Sequence, residues 1–264
     1  MRIQELTSSR ELLWNLTLRE LRGKYRRSAL GWAWSLLNPL ATTVMYTFVF
    51  AIVLDAKGPV GEPSGLHVYA FFLLAGLLPW NFFVVGTTQA MSSVIANGGL
   101  VKKVWFPREV LVHSTVLAAA VSLLIELGLL CTILLFAGNM VLPWIPVLLV
   151  LVALLTLFTI GLALAMAACN VYFRDMTYLW GIVSQLWFFA TPIIYPATLL
   201  PASLQWLPRI NPMYAFVSAF RDVLYDLRFP TALTWAKMGL SVIVALALGS
   251  WIFSRLSPRF AEEL

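Results

Sequence analysis

Charge is what this 264-residue chain lacks most: 11 % of its residues are Asp, Glu, Lys or Arg, while 61 % are apolar. An ordinary soluble domain is about 25 % charged and about 45–50 % apolar. A single globule of this length cannot hide that excess, because much of any folded surface still faces water. A mean hydropathy of +0.86 equally excludes disorder, which goes with few apolar residues and high charge. Histidine and cysteine are nearly missing, with two of each. Cys131 and Cys169 both fall inside apolar stretches and read as small packing residues, neither a disulfide framework nor a metal pair. No G-x-x-x-x-G-K-[ST], G-x-G-x-x-G or H-E-x-x-H pattern occurs. The chain is therefore expected to catalyse nothing itself and to hold no cofactor and no metal. A cleavable leader is not expected either, since the opening residues carry charge where a leader carries an apolar core. What remains is an integral membrane protein.

A helix needs about 20 mostly apolar residues to cross a hydrocarbon core of about 30 Å. Six stretches qualify: 33–54, 68–95, 114–137, 144–169, 178–200 and 235–254. Gly138, Asn139 and Pro143 mark a short hairpin between the third and fourth, and Arg174-Asp175 separates the fourth from the fifth. Six crossings place both termini on one side. That side collects Arg2, Arg10, Arg19, Arg22, Lys24, Arg26, Arg27, Lys102, Lys103, Arg108, Arg174, Arg255 and Arg259. The other holds only Lys57, Arg209, Arg221, Arg228 and Lys237. The first side is cytoplasmic by the positive-inside rule, which also accounts for the net charge of +6 without nucleic acid as a partner.

Two regions are neither plain spans nor plain loops. Residues 5–27 intersperse Leu6, Leu12, Leu13, Leu16 and Leu21 with arginines and glutamates. They read as an amphipathic helix along the cytoplasmic interface, or as a helix packed on the bundle. Residues 192–230 carry Pro192, Pro196, Pro201, Pro208 and Pro212, too many missing N–H donors for a uniform helix. Irregular backbone at membrane depth persists only inside protein or beside a wet cavity, so short broken helices at the outer face are expected there. The fold class is all-α.

Several residues stand out as candidates for function. Glu126 is the one ionisable residue near the middle of a span, where a charge costs about 2.5–3.5 kcal/mol on insertion scales. It reads either as a coupling carboxylate or as a hydrogen-bonded packing residue. Trp32, Tyr46 and Phe50 share one face of the first span, and the fifth carries Trp187, Phe188 and Tyr195. Rings with polar tips stack on sugar faces while the tips bond hydroxyls, although belts at the membrane interface use the same residues. Gly161, Ala165 and Cys169 allow close helix contact in the fourth span. Lys102-Lys103-Val104-Trp105-Phe106-Pro107-Arg108 is a basic, aromatic, proline-closed segment of the kind that seats in a partner's groove. Asn170 through Arg174 and Asp175 forms a compact charged turn.

Four segments together resemble the membrane subunits of ABC-2-type polysaccharide exporters, the family of O-antigen, teichoic-acid and capsule permeases. They are residues 21–32 with Asn38-Pro39, residues 101–108, residues 170–175, and Asn211-Pro212-Met213-Tyr214 with Phe220-Arg221-Asp222, in family order. The resemblance implies a homodimer in the bacterial cytoplasmic (inner) membrane that binds two copies of a separate ATPase, which holds the ATP and magnesium. It divides the chain into an interface helix and loop over 1–31 and a six-helix transmembrane domain over 32–264, with external gate helices within 192–230. It implies that Arg26 or Arg27 through Leu30 and Gly31 lies at the cytoplasmic mouth, the spacing to Leu30 favouring Arg26. Arg22, Lys24, Arg26 and Arg27 would then hold the head group of a lipid-linked glycan, or anionic lipid. Lys102, Lys103, Trp105, Phe106, Pro107 and Arg108 would couple to the ATPase, and aromatic rings would guide the sugar chain. A different cargo, a lipid or a drug, or an ion-coupled carrier acting through Glu126, are the alternative readings.

Overall fold

The computed structural model describes residues 10–24, 33–53 and 58–264, and among these it contains helices and no strand. In chain order the α-helices are α1 (Arg10–Lys24), α2 (Ala33–Thr47), α3 (Tyr69–Ala96), α4 (Gly98–Lys103), α5 (Glu109–Phe136) and α6 (Ile145–Tyr172). They continue as α7 (Met176–Ala190), α8 (Trp206–Ile210), α9 (Pro212–Arg221), α10 (Ala232–Leu256) and α11 (Phe260–Glu263). Four are long and apolar enough to cross a membrane: α3, α5, α6 with its lead-in from Leu142, and α10 running on to Arg259. The other two expected spans, 33–54 and 178–200, fall on the shorter α2 and α7. Helix α2 loosens into π turns over Phe48–Val53. Helix α7 stops at Ala190, because Thr191 turns extended ahead of Pro192, and the chain bends there.

Helix α3 is the central post. The most apolar window of α3 is 72 % buried, against 28 % for α10, whose Leu240, Ile243, Leu248 and Trp251 face outward. Packed around α3 are α5, α6, α9, α2 and α7. Helices α6 and α10 make the most extensive pairing of all, crossing at Gly161 and Gly249. A Cβ on Gly249 would fall inside the carbonyl oxygen of Gly161, so the two backbones touch and only glycine fits.

The α5–α6 hairpin closes as its sequence signals. Gly138 sits at φ +86°, the Gly138 N–H bonds the Leu135 carbonyl at 3.0 Å, and the Asn139 N–H bonds the Leu134 carbonyl at 2.9 Å. These two bonds satisfy the end of α5 as a Schellman cap. Asn211 caps α9, its side-chain oxygen accepting the Met213 N–H at 3.0 Å, with Pro212 already at the helical φ. Past Arg221, α9 loosens into π turns over Asp222–Asp226 and ends on Leu227 in the left-handed region, φ 61°.

Helix α1 lies against α5. Its Leu16 and Thr17 are buried and Leu12 and Leu13 are partly covered, whereas Trp14 on the far side is 64 % exposed. The Arg19 guanidinium donates to the Asn97 side-chain oxygen at 2.7 Å, tying α1 to the corner between α3 and α4. The bundle thus has two ends. Residues 58–68, 138–144 and 191–231 gather at the loop end. The corner 97–108, the turn 173–175 and the segment 257–264 gather at the terminal end, together with Lys102, Lys103, Arg108, Arg174, Arg255 and Arg259.

Candidate functional site

Helices α2, α3 and α7 frame a groove of about 310 Å³. Tyr46, Trp80, Phe188 and Phe189 line it together with the polar side chains of Thr42, Asn81, Ser184 and Gln185. The Tyr46 and Phe188 rings stack across it at 6.4 Å, and Trp80 meets Phe188 at 5.6 Å. Phe50 extends the row, 6.2 Å from Tyr46 and 6.2 Å from Tyr69. Behind this wall lies a packed layer in which Phe83 touches Trp180, Trp187 and Phe158. Trp187 belongs to that layer: its indole N–H donates to Asn211 at 2.9 Å, so it braces α7 against the start of α9. Tyr195 folds back, its hydroxyl donating to the Phe189 carbonyl at 2.7 Å.

Asn81 and Gln185 were not among the residues that the sequence singled out, although a signal for Asn81 exists. Asn81, Thr88 and Ser92 recur at intervals of seven and four, one face of a helix that is otherwise apolar. Thr88 and Ser92 line a second cavity, about 520 Å³, between α1, α3 and α5, with Glu20, Gln89 and Asn97. A polar face on a helix of membrane length has to meet water, cargo or protein, because lipid offers it no hydrogen bonds. On α1, Arg22 is exposed; Arg26, Arg27, Leu30, Gly31 and Trp32, and the side chain of Lys24, lie outside the described residues.

At the terminal end, the segment 101–108 divides its side chains between two roles. Lys102, Lys103, Val104 and Trp105 point outward, Trp105 being 87 % exposed. Val101 and Phe106 are buried, Pro107 is half-buried, and the Arg108 guanidinium turns inward to donate to the Ser257 carbonyl. Beside this segment the exposed turn is Phe173-Arg174-Asp175. Asn170 sits one turn earlier, buried within α6, where it donates to the Met91 carbonyl at 3.1 Å and ties α6 to α3. Glu126 is half-buried on α5 among Leu40, Leu74, Leu78, Leu129, Leu130 and Ile133, outside the groove. The gap there is only about 20 Å³, room for about one water.

The loop end is organised by α9 and its π turn. Arg221, counted from sequence as an outward cation, is buried. It donates to the Phe72 carbonyl at 3.3 Å, the Pro192 carbonyl at 2.6 Å and the Ile193 carbonyl, with its guanidinium 3.6 Å over the Phe72 ring. Tyr225 donates to the Pro59 carbonyl at 2.7 Å, and Asn139 to the Leu224 carbonyl at 2.9 Å. Arg228 pairs with Asp222 at 2.5 Å and with Asp226 at 3.1 Å. Burial raises both carboxyls above the ordinary range, and the Arg228 charge offsets only part of that. Signals for this clamp were present in the Asn211-Pro212 and Phe220-Arg221-Asp222 pairs, but nothing in the spacing told which carbonyls would receive Arg221.

Comparison with known proteins gives the arrangement its family. The family model described as ABC-2 type transporter matches residues 11–225. An O-antigen export system permease protein RfbA of Myxococcus xanthus is 31 % identical, the match covering 99 % of this chain and 98 % of that protein. A permease of the same name from Klebsiella pneumoniae is 29 % identical over 96 % of this chain and 95 % of its own. The polysialic acid transport protein KpsM of Escherichia coli is 22 % identical over 89 % of each. A match running through α1, the groove helices, the 101–108 segment and α9 leaves one assignment: this chain belongs to the ABC-2 type transporter family.

Proposed function

We propose that this chain is the membrane-spanning permease subunit of an ATP-driven exporter that moves lipid-linked polysaccharide of the O-antigen kind across the bacterial inner membrane. The observation that carries this reading is the groove, where stacked Tyr46 and Phe188 share the lining with Asn81 and Gln185. Flat rings accept the apolar faces of sugars, while amides and hydroxyls exchange hydrogen bonds with successive sugar hydroxyls, so a chain can slide without being held. The names of the relatives point to the same cargo. In this reading α2 and α7 complete six spans, the terminal end is cytoplasmic, and two copies of the chain face one another across their grooves.

Such a subunit takes its energy from a partner. Two ATPase copies would dock on the outward Lys102, Lys103 and Trp105, and nucleotide-driven closure would favour one arrangement of the bundles over the other. Arg22 with Lys24, Arg26 and Arg27 would hold the pyrophosphate of the lipid carrier at the cytoplasmic leaflet. Cells lacking the gene should accumulate carrier-linked glycan inside. In cells carrying Tyr46→Ala with Phe188→Ala, export should fall at least fivefold while the ATPase still co-purifies, and Glu126→Gln should spare export. Unchanged glycan flux in the double variant would return these rings to a packing role and overturn the proposal.

A further inference from the structure

We propose that residues 257–264 act as a strap joining the coupling segment to the last span, with Arg108 as the positioning residue that fastens it. This rests on the reading that an ATPase docks on the outward Lys102, Lys103 and Trp105, a surface that does not include the inward Arg108. Helix α10 runs on into a single 3-10 turn, Ser257–Arg259, where the Ser257 carbonyl accepts the Phe260 N–H. Side chains from two other elements add hydrogen bonds to the carbonyls at this junction. Tyr172, at the end of α6, donates to the Leu256 carbonyl at 2.9 Å, and Arg108, ahead of α5, donates to the Ser257 carbonyl. A cation at a helix C-terminus is also favoured by the helix dipole.

Phe260 then wedges into the space between these elements. It is fully buried, edge-on to Phe253 at 5.4 Å and to Tyr172 at 6.2 Å, with the Arg108 guanidinium 5.9 Å from its ring centre. The chain ends against α4, where a Cβ on Gly98 would stand 3.7 Å from the Leu264 Cβ. Trp105, Lys102 and Lys103 remain outward, so one segment carries two surfaces: an outer one for a partner and an inner one for the strap. Displacement of the segment is handed to α10 through Arg108 and Phe260. From α10 it passes to α6 at the Gly161–Gly249 crossing.

The test uses the chain assembled with its ATPase in vesicles. Removal of residues 258–264 should leave ATPase binding and hydrolysis intact and lower the glycan exported per ATP at least tenfold. Arg108→Leu should do the same, and Arg108→Lys, which keeps a donor, should recover at least half of the ratio. A wild-type ratio in either the truncated chain or Arg108→Leu overturns the strap. A second arm holds even where the truncated chain does not fold. A Cβ separation of 3.7 Å lies inside the range of about 3.5–4.5 Å for disulfides. With Cys131 and Cys169 replaced by alanine, Gly98→Cys with Leu264→Cys should cross-link on oxidation and still export, since strap and segment move together. No cross-link, or export lost on oxidation and restored by reductant, overturns the proposal. If the unaltered chain binds no ATPase, the docking reading fails instead, and the cross-link still reports whether the strap lies on α4.

Discussion

Arg221 shows how a buried charge can be held without a carboxylate. Its hydrogen bonds go to main-chain carbonyls at Phe72, Pro192 and Ile193, the last two in the irregular backbone that follows the end of α7 at Ala190. The clamp therefore repairs the backbone at a break that proline imposes. Arg221→Met would leave the buried Pro192 and Ile193 carbonyls unmet, each costing about 1–3 kcal/mol, while the Phe72 carbonyl keeps its place in the α3 ladder. Its thermal unfolding midpoint in detergent should fall well below that of the native chain, with proteolysis appearing in 191–201. Arg221→Lys, which keeps the charge and loses the fork, should lie between the two. A native midpoint for the methionine variant would show that Arg221 clamps nothing. The neighbouring Asp222 and Asp226 give a pH signature. Burial raises both carboxyls, so the folded chain binds their protons more tightly than the unfolded one. The resulting stabilisation is complete below the ordinary carboxylate value and is lost as pH rises through the raised folded value. Protection of loop-end amides from hydrogen exchange should therefore increase as pH is lowered from neutral, once intrinsic rates are corrected. Asp222→Asn with Asp226→Asn should flatten that slope, and an unaltered slope would place the titration elsewhere.

Among the helices, the α6–α10 crossing is where sequence and packing agree most directly. Gly161 reads as a close-contact residue from its spacing to Ala165 and Cys169, and its partner Gly249 on α10 completes the contact. Gly249→Leu would force the helices apart along their whole pairing and should yield aggregated or degraded chain on size exclusion. Gly181→Ala meets no atom within 4 Å and should express as the native chain does, so equal behaviour of the two variants would deny the crossing its importance. The long helices α3, α5, α6 and α10 were legible because a membrane-length apolar run admits few other structures. The hairpin at Gly138-Asn139 was legible through its left-handed glycine. Helix α7 was less so: its apolar run continues past Pro192 to Leu200, and hydropathy does not register where a missing N–H ends a helix. Asn170 misled for the opposite reason, since its polarity suggests a turn while its amide is used inside α6 to reach Met91. Half of the groove was invisible for a related cause. Gln185 looks like an isolated polar interruption until α2, α3 and α7 are brought together, and Asn81 shows only as part of a polar face whose partner hydropathy does not name.

At the scale of the whole molecule, the groove and the 101–108 segment lie at different depths of one bundle, and α3 connects them. Its polar face passes from Asn81 in the groove to Thr88 and Ser92 in the cavity beneath α1, and its end turns directly into the 97–108 corner. Any force applied at that corner therefore reaches the wall of the groove along a single rigid helix, and reaches α10 through the strap. In the function proposed above, the energy for this route comes from a separate ATPase. An equilibrium between two arrangements shifts only by the difference in free energy with which something binds them. Glycan at equal concentration on the two sides of the membrane supplies no such difference, so a concentration gradient would be its only driving force. Reconstituted by itself into vesicles with carrier-linked glycan at equal concentration inside and out, the chain should produce no net accumulation over hours. Adding the ATPase and ATP to one side should produce accumulation in one direction, abolished by a hydrolysis-deficient ATPase. Directional accumulation by the lone chain would mean that an energy source resides within its own residues, and the assignment of residues 101–108 to coupling would have no work left to explain.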